Sequence, residues 1–336
     1  MTKTFFGTLP SGDGTHVYTV KNDSASLSVL DYGARITSFN AFGTEIVGGF
    51  DTLDDYVKDT SHQGATIGRV ANRIGSARFV MDGVEYNVTE NDNGNCLHGG
   101  VGFDYRMWEL TDSGDDFLTF AYTANDGEEG FPASLTVRVT FTLKDATVII
   151  DYKAVPDGKT PIALTNHSYF NLDGFGGTVE DHVAVIYADE YTEVADDLIP
   201  NGDRPSVKGT AFDFNEPHKI GERVGGDFIG YDHNFILSKE KHESFGGDRL
   251  ALAAEVTNGK LKLSVFTDQP GVQFYIGNFL GSDKGAPKFR GGIAPIFHGA
   301  FCLEAQTEPN CINHGEGFYD AGEVYKQKTV YRVEKV

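Results

Sequence analysis

Residues 135–143 set the tightest limit on what this chain can fold into. Leu135, Val137, Val139, Phe141 and Leu143 alternate with Thr136, Arg138, Thr140 and Thr142, a period of two that suits a strand with one buried and one wetted face. A helix would scatter the same apolar side chains around its circumference. Lys144-Asp145 reads as a hairpin turn into a Val- and Ile-rich partner at 147–154, and a strand at 117–123 precedes the turn-prone Asn125-Asp126-Gly127. Similar strands are expected at 26–30, 78–86, 183–187, 260–267 and 272–278, while helix candidates such as 51–59 are brief. The glycine-rich joints Gly99-Gly100, 174–177 and Gly225-Gly226 are short, and no linker, repeat or low-complexity run marks a boundary. The expectation is an all-β chain, with residues 1–336 forming a single domain of antiparallel strands, either a large sandwich or a large barrel.

Charge narrows the partners. With 28 Lys plus Arg against 49 Asp plus Glu, the 336-residue chain carries a formal charge of −21. That balance argues against a nucleic acid or an anionic membrane surface, and makes a phosphorylated substrate less suitable than a neutral small molecule. No apolar run approaches the roughly 18 residues of a spanning helix, and the start of the chain turns polar too early for a signal peptide. Cys96, Cys302 and Cys311 are an odd number without a Cys-x-x-Cys pair. Free thiols in a reducing, cytoplasmic setting are the expectation.

Nucleotide, zinc-protease and serine-hydrolase motifs are absent. What remains is a set of polar and ionisable residues inside segments that otherwise look buried, a costly placement unless it is used. In Asn166-His167-Ser168-Tyr169-Phe170-Asn171-Leu172, a strand would turn His167, Tyr169 and Asn171 to one face. In Phe301-Cys302-Leu303-Glu304-Ala305-Gln306, a glutamate sits among apolar and small residues, where burial would raise its pKa and make it a usable base. His98 precedes two glycines that would allow a ligand to approach the backbone. Asn72 and Arg73 offer donors to hydroxyl oxygens, Asp232 an acceptor for two of them, and Gln273 shares a strand face with Tyr275. Taken singly, each has an ordinary structural explanation: a core histidine, an ion-paired glutamate, a surface arginine, an Asp turn. Together they combine planar polar groups with aromatic and glycine neighbours, which is how proteins hold a neutral polyol.

Seven stretches, in order, carry a wider likeness: Leu30-Asp31-Tyr32-Gly33-Ala34-Arg35-Ile36-Thr37, Gly68-Arg69-Val70-Ala71-Asn72-Arg73-Ile74, Leu97-His98-Gly99-Gly100, the 166–172 segment, Gly230-Tyr231-Asp232-His233-Asn234-Phe235, Pro270-Gly271-Val272-Gln273-Phe274-Tyr275 and Leu303-Glu304-Ala305-Gln306. Over essentially its whole length the chain resembles the aldose 1-epimerases, or galactose mutarotases. The resemblance implies a large antiparallel β-sandwich with a sugar in an open groove, and an isomerase that interconverts the α and β anomers of free hexoses such as galactose and glucose. By position it makes Glu304 the general base and His167 the general acid. It places Asn72, Arg73, His98, Asp232 and Gln273 around the sugar's hydroxyls and ring oxygen, with Tyr169 lining the groove and Phe279 against the apolar sugar face. No metal and no cofactor are implied, and the enzyme is expected as a monomer or homodimer of hexose metabolism. Departures from the usual pattern are Ala305, where the family has Thr, Pro309-Asn310, where an aspartate usually follows the proline, and Cys96. They bear on substrate preference more than on reaction type. The competing readings are a hexose-6-phosphate epimerase of the same fold, a sugar-binding protein without catalysis, and a glycosidase using Glu304 with Asp232.

Overall fold

The computed structural model describes residues 1–336, and its strands assemble mainly into three sheets. The first is a five-stranded meander of Thr2–Thr8, Gly14–Lys21, Ala25–Leu30, Arg35–Ala41 and Thr44–Glu45. The second, ten-stranded, runs Glu109–Ser113, Phe117–Ala124, Leu135–Lys144, Thr147–Pro156, Tyr325–Lys335, Leu261–Thr267, Asp248–Thr257, Val183–Ile186 and His218–Lys219, with His242–Phe245 beside Asp248–Thr257. The third orders Tyr169–Phe170, Phe301–Gln306, Gly271–Tyr275, Asp232–Leu237 and Ala188–Tyr191. Neighbouring strands in all three are antiparallel. The architecture is a large antiparallel β-sandwich, as expected.

The alternation in Leu135–Lys144 holds: its five apolar side chains are buried, and Thr136 and Arg138 are exposed. The hairpin turn is one residue later than expected, because Lys144 pairs with Thr147 and leaves Asp145 and Ala146 as the loop. Asp145 takes a left-handed φ of 49° there. The strand expected at 78–86 is a hairpin, Arg78–Met81 against Val84–Asn87, folded at Asp82-Gly83. That turn needs positive φ at both positions (52° and 81°), which Asp and Gly tolerate. The brief helix is Leu53–Lys58, its first turn capped by the Thr52 hydroxyl. The 272–278 strand ends at Tyr275.

The third sheet positions the functional groups. Phe235, Val272, Phe274, Phe301 and Leu303 project from its back into a core of 54 buried residues shared with the other two sheets. Alternation therefore turns Asp232, Asn234, Gln273, Tyr275, Cys302 and Glu304 to the front. Cross-strand pairing aligns them in two rows, Asn234 with Gln273 and Glu304, and Asp232 with Tyr275, Cys302 and Tyr169. Burying an aliphatic or aromatic side chain on the back face contributes about 1.5–3 kcal/mol. The polar front is therefore carried on a stiff hydrophobic base. Phe274→Ala should lower the unfolding free energy by about 3–5 kcal/mol in urea denaturation; a loss below about 1 kcal/mol would show that the back face is not a packed core.

Candidate active site

Above the front of the third sheet lies a cleft walled by Asn72, Arg73, His98, His167, Tyr169, Asp232, Phe279 and Glu304, eight of the nine residues expected from the sequence. Gln273, the ninth, is not on the wall. It sits opposite Glu304 in the sheet and donates from Nε2 to Asp232 Oδ1 at 2.7 Å. Phe279 is at the rim, 58% exposed, its ring parallel to that of Tyr275. The cleft also takes in Tyr275, the strand-face neighbour of Gln273, and Phe50, His62, Phe289, residues 280–283 and 285–287, which are not expected from the sequence as site residues.

His167 is held on both sides by backbone. Its N–H donates to Ala65 O and its carbonyl accepts from Gly64 N–H, both at 2.9 Å, while the Asn166 amide donates to Gly64 O. Gly64 cannot be replaced there: φ is +67°, and a Cβ would lie 1.9 Å from Ile36 O. The His167 ring stacks on Tyr169, with Cys302 Sγ 3.6 Å from Nδ1. Asn171, expected on the same face, leaves it. The strand is only Tyr169–Phe170, and the Asn171 amide turns away to Gly177 O and Gly299 O. At His98, Nδ1 accepts the Asn72 N–H at 3.1 Å. The glycine after it serves the chain's own packing and not a ligand's approach, since a Cβ at Gly99 would lie 2.6 Å from Gly68 O.

His167 Nε2 and Glu304 Oε1 lie 3.6 Å apart in the cleft, both buried. Burial, reinforced by Asp232 and opposed by Arg73, pushes the Glu304 carboxyl well above its usual range. Burial, with His62 adding to it, takes His167 down to about 3. The spacing would suit an ion pair, but desolvation acts against both charges. Both shifts act in the same sense, favouring the proton on Glu304 and a neutral His167 when no ligand is bound. Burial also raises Asp232 against the pull of Arg73 and Gln273. Arg73 spends its Nε on Asp92, at 2.7 Å. Ligand atoms of His98, His167 and Glu304 lie within 4.8 Å of one another, near enough to suggest a metal centre. Yet the Asn72 N–H fixes the His98 proton on Nε2, which makes that nitrogen a hydrogen-bond donor and a poor metal ligand. The donor set suits hydroxyl oxygens better.

Beneath the wall, the fully buried Arg35 pairs with Asp59 at 3.3 Å and Asp104 at 3.9 Å and donates to Gln63 O and Asp104 O. This network holds the 59–64 loop against the cleft. Arg35 carries no pattern signal of its own, and His62 lies in a loop without periodicity. His62, Asn72 and His98 all have left-handed φ (58°, 60° and 55°), the kind of backbone strain that gathers at functional sites.

The aldose 1-epimerase family model matches residues 16–332. The chain belongs to the aldose 1-epimerase family. Galactose mutarotase of Homo sapiens is 40% identical over 326 residues, covering 93% of this chain and 92% of that one. Aldose 1-epimerase of Escherichia coli K12 is 35% identical over 343 residues, 96% of each. Among solved structures, the aldose epimerase homologue of C. elegans superposes with a TM-score of 0.86 at 28% identity, covering 96% of this chain and 99% of that one. Galactose 1-epimerase of Lactobacillus acidophilus gives 0.88 at 24% identity, covering 99% and 98%, and supports the fold. This epimerase is accordingly an isomerase with mutarotase activity, whose substrate is a sugar.

Its buried neutral histidine makes a stability prediction. His167 has a folded pKa depressed from 6.5 to about 3. As the pH falls below 6.5 the unfolded chain takes up a proton that the folded chain refuses, so stability falls with it, by about 1.4 kcal/mol per pH unit. His167→Asn should remove that contribution. Its unfolding free energy relative to wild type should rise by about 2 kcal/mol between pH 6.5 and 5; a pH-independent difference would mean that His167 takes up its proton in the native state as readily as in the unfolded chain.

Proposed function

We propose that this aldose 1-epimerase acts on free hexoses such as D-galactose and D-glucose, with Glu304 as general base and His167 as general acid. The observation that carries the reading is the isolated His167–Glu304 pair, 3.6 Å apart inside the cleft and ringed by hydroxyl-binding groups. On sugar binding, the shared proton passes from Glu304 to His167 as hydroxyls and Arg73 replace the missing solvation of the carboxylate. Glu304 then takes the proton of the anomeric O1–H, the O1 electrons form the carbonyl, and the C1–O5 bond breaks as O5 accepts the proton of His167. The site is left with a protonated Glu304 and a neutral His167, which is the proton distribution of the sugar-free pair. Rotation about C1–C2 turns the other carbonyl face toward O5. Closure reverses both transfers and consumes no net proton.

In this reading Asn72, Arg73 and His98 meet sugar hydroxyls and the ring oxygen, and the Arg73 guanidinium also favours the charge growing on O5. Asp232, steadied by Gln273, accepts from hydroxyls. Tyr169 lines the groove, and the exposed face of Phe279 meets the apolar side of the sugar. Acid–base chemistry alone suffices, so the proposed cycle uses no metal or cofactor. The only Lys or Arg side chains on the cleft wall are Lys58 and the already paired Arg73, beside the acidic Asp59, Asp232, Asp283 and Glu304. That balance favours a neutral hexose over a hexose 6-phosphate.

We read the chain as one domain, because the ten-stranded sheet recruits strands from Glu109–Ser113 through Tyr325–Lys335. All the proposed groups come from a single chain, so a monomer could work, and a homodimer is equally compatible. Three buried free cysteines fit the cytoplasm. No helix is long and apolar enough to cross a membrane.

Polarimetry of freshly dissolved α-D-galactose and α-D-glucose tests the reading. Wild type should accelerate mutarotation, and Glu304→Gln and His167→Asn should each lose about 10²- to 10⁴-fold in kcat while remaining folded. Near-normal turnover in either variant would remove that residue from its role.

A further inference from the structure

One ionisable group in the cleft is used by none of this chemistry. His62 lies on the wall, its side chain 12% exposed, in contact with the rings of His98 (4.7 Å between centroids, edge to face) and His167 (5.8 Å). Its Nδ1 is 2.8 Å from Oδ2 of Asp104, a side chain buried completely. A carboxylate only accepts, so Nδ1 carries a proton, and in the singly protonated ring Nε2 keeps its lone pair and can accept. His98 is fixed the opposite way. Its Nδ1 accepts a backbone N–H from Asn72, so its proton is on Nε2, and burial, with His62 and His167 beside it, holds the ring well below the usual histidine range and hence neutral. Two touching rings thus offer the cleft one acceptor, His62 Nε2, and one donor, His98 Nε2–H. Neither Nε2 has a partner within the protein.

The geometry points to a bridged hydroxyl: one ring hydroxyl of the aldose accepts from His98 Nε2–H and donates to His62 Nε2, making the Asp104–His62 pair a specificity element. This rests on the sugar reading of the site given above. Among neutral substituents of this size, only a group that both donates and accepts satisfies the two nitrogens. An ether or fluorine leaves His62 unmet, and hydrogen leaves both unmet. An unsatisfied buried polar group costs more than a missing contact, so discrimination should be sharp. Asp104 is in turn held by Arg35, which also anchors the 59–64 loop carrying His62. The acceptor tautomer is therefore set from the buried network outward.

The test compares kcat/KM for mutarotation of galactose with that of its 2-, 3-, 4- and 6-monodeoxy and monodeoxyfluoro analogues, in wild type and in His62→Phe. Each comparison subtracts the spontaneous rate of the same sugar. Wild type should show one position at which fluorine for hydroxyl costs about tenfold beyond its cost at the other positions. His62→Phe should reduce that excess to within about twofold, leave the penalties at the other positions unchanged, and raise KM for galactose more than it lowers kcat. A purely structural role would scale all the sugars together. Should the orphaned Asp104 charge prevent folding, the double variant His62→Phe with Asp104→Asn removes it, and the same ratio is read there. Equal losses on every sugar, or no fluorine-sensitive position in wild type, would overturn the bridge. Wild type inert on galactose itself would instead overturn the sugar reading, and the bridge with it.

Discussion

Desolvation of Glu304 is the constraint around which the cleft is arranged. The carboxyl projects from a strand whose six residues are all buried, with one oxygen near His167 and the other without a hydrogen-bond partner. A lone buried carboxylate is expensive, and the cheapest remedy is a proton. The fold supplies it without supplying a counter-charge: Arg73 is partly spent on Asp92, and Asp232 adds repulsion. Burial thus favours the protonated carboxyl, and on the proposed chemistry a ligand with hydroxyl groups brings the missing hydrogen bonds. On the proposed chemistry, the binding of sugar and the activation of the base are then one event.

The third sheet makes this placement tolerable. Its back face is locked into the shared core by Val272, Phe274, Phe301 and Leu303, so the front face can carry polar groups that would loosen a less anchored strand. Opposite that sheet, the Arg35–Asp59–Asp104 network stiffens the loop beside His167, and the backbone bonds between His167 and Gly64–Ala65 tie the two walls together. Left-handed backbone at His62, Asn72 and His98 is held by the same surroundings. The rigidity of the cleft comes from buried polar contacts as much as from hydrophobic packing.

How much of this was legible in the sequence follows from which signals are local. The period of two in 135–143 revealed a strand and its buried face, because alternation is a property of a single strand. The same pattern at 78–86 concealed a hairpin, since Val80, Met81 and Val84 continue the apolar rhythm across the Asp82-Gly83 turn. Glu304 and His167 stood out as ionisable residues in segments that otherwise look buried, and the family motifs placed them together, but their 3.6 Å separation is a product of the tertiary fold. Gln273 pointed to the correct sheet face without showing that it would support Asp232 from behind. Gly99 signalled a close approach, and the approaching backbone is that of Gly68. His62, in a loop, and Asp104, in a single helical turn 42 residues on, had no signal: only folding brings the carboxylate to the ring.

The central claim is that the sugar-free enzyme keeps its key proton on Glu304 and its key histidine neutral. Difference infrared spectroscopy of wild type against Glu304→Gln at neutral pH measures this directly, in the carbonyl-stretch region of protonated carboxylic acids. The account predicts a band of a buried, protonated carboxyl that is present in wild type, absent in the variant and diminished when galactose is added. A spectrum showing only carboxylate at Glu304, before as well as after the sugar, would contradict it.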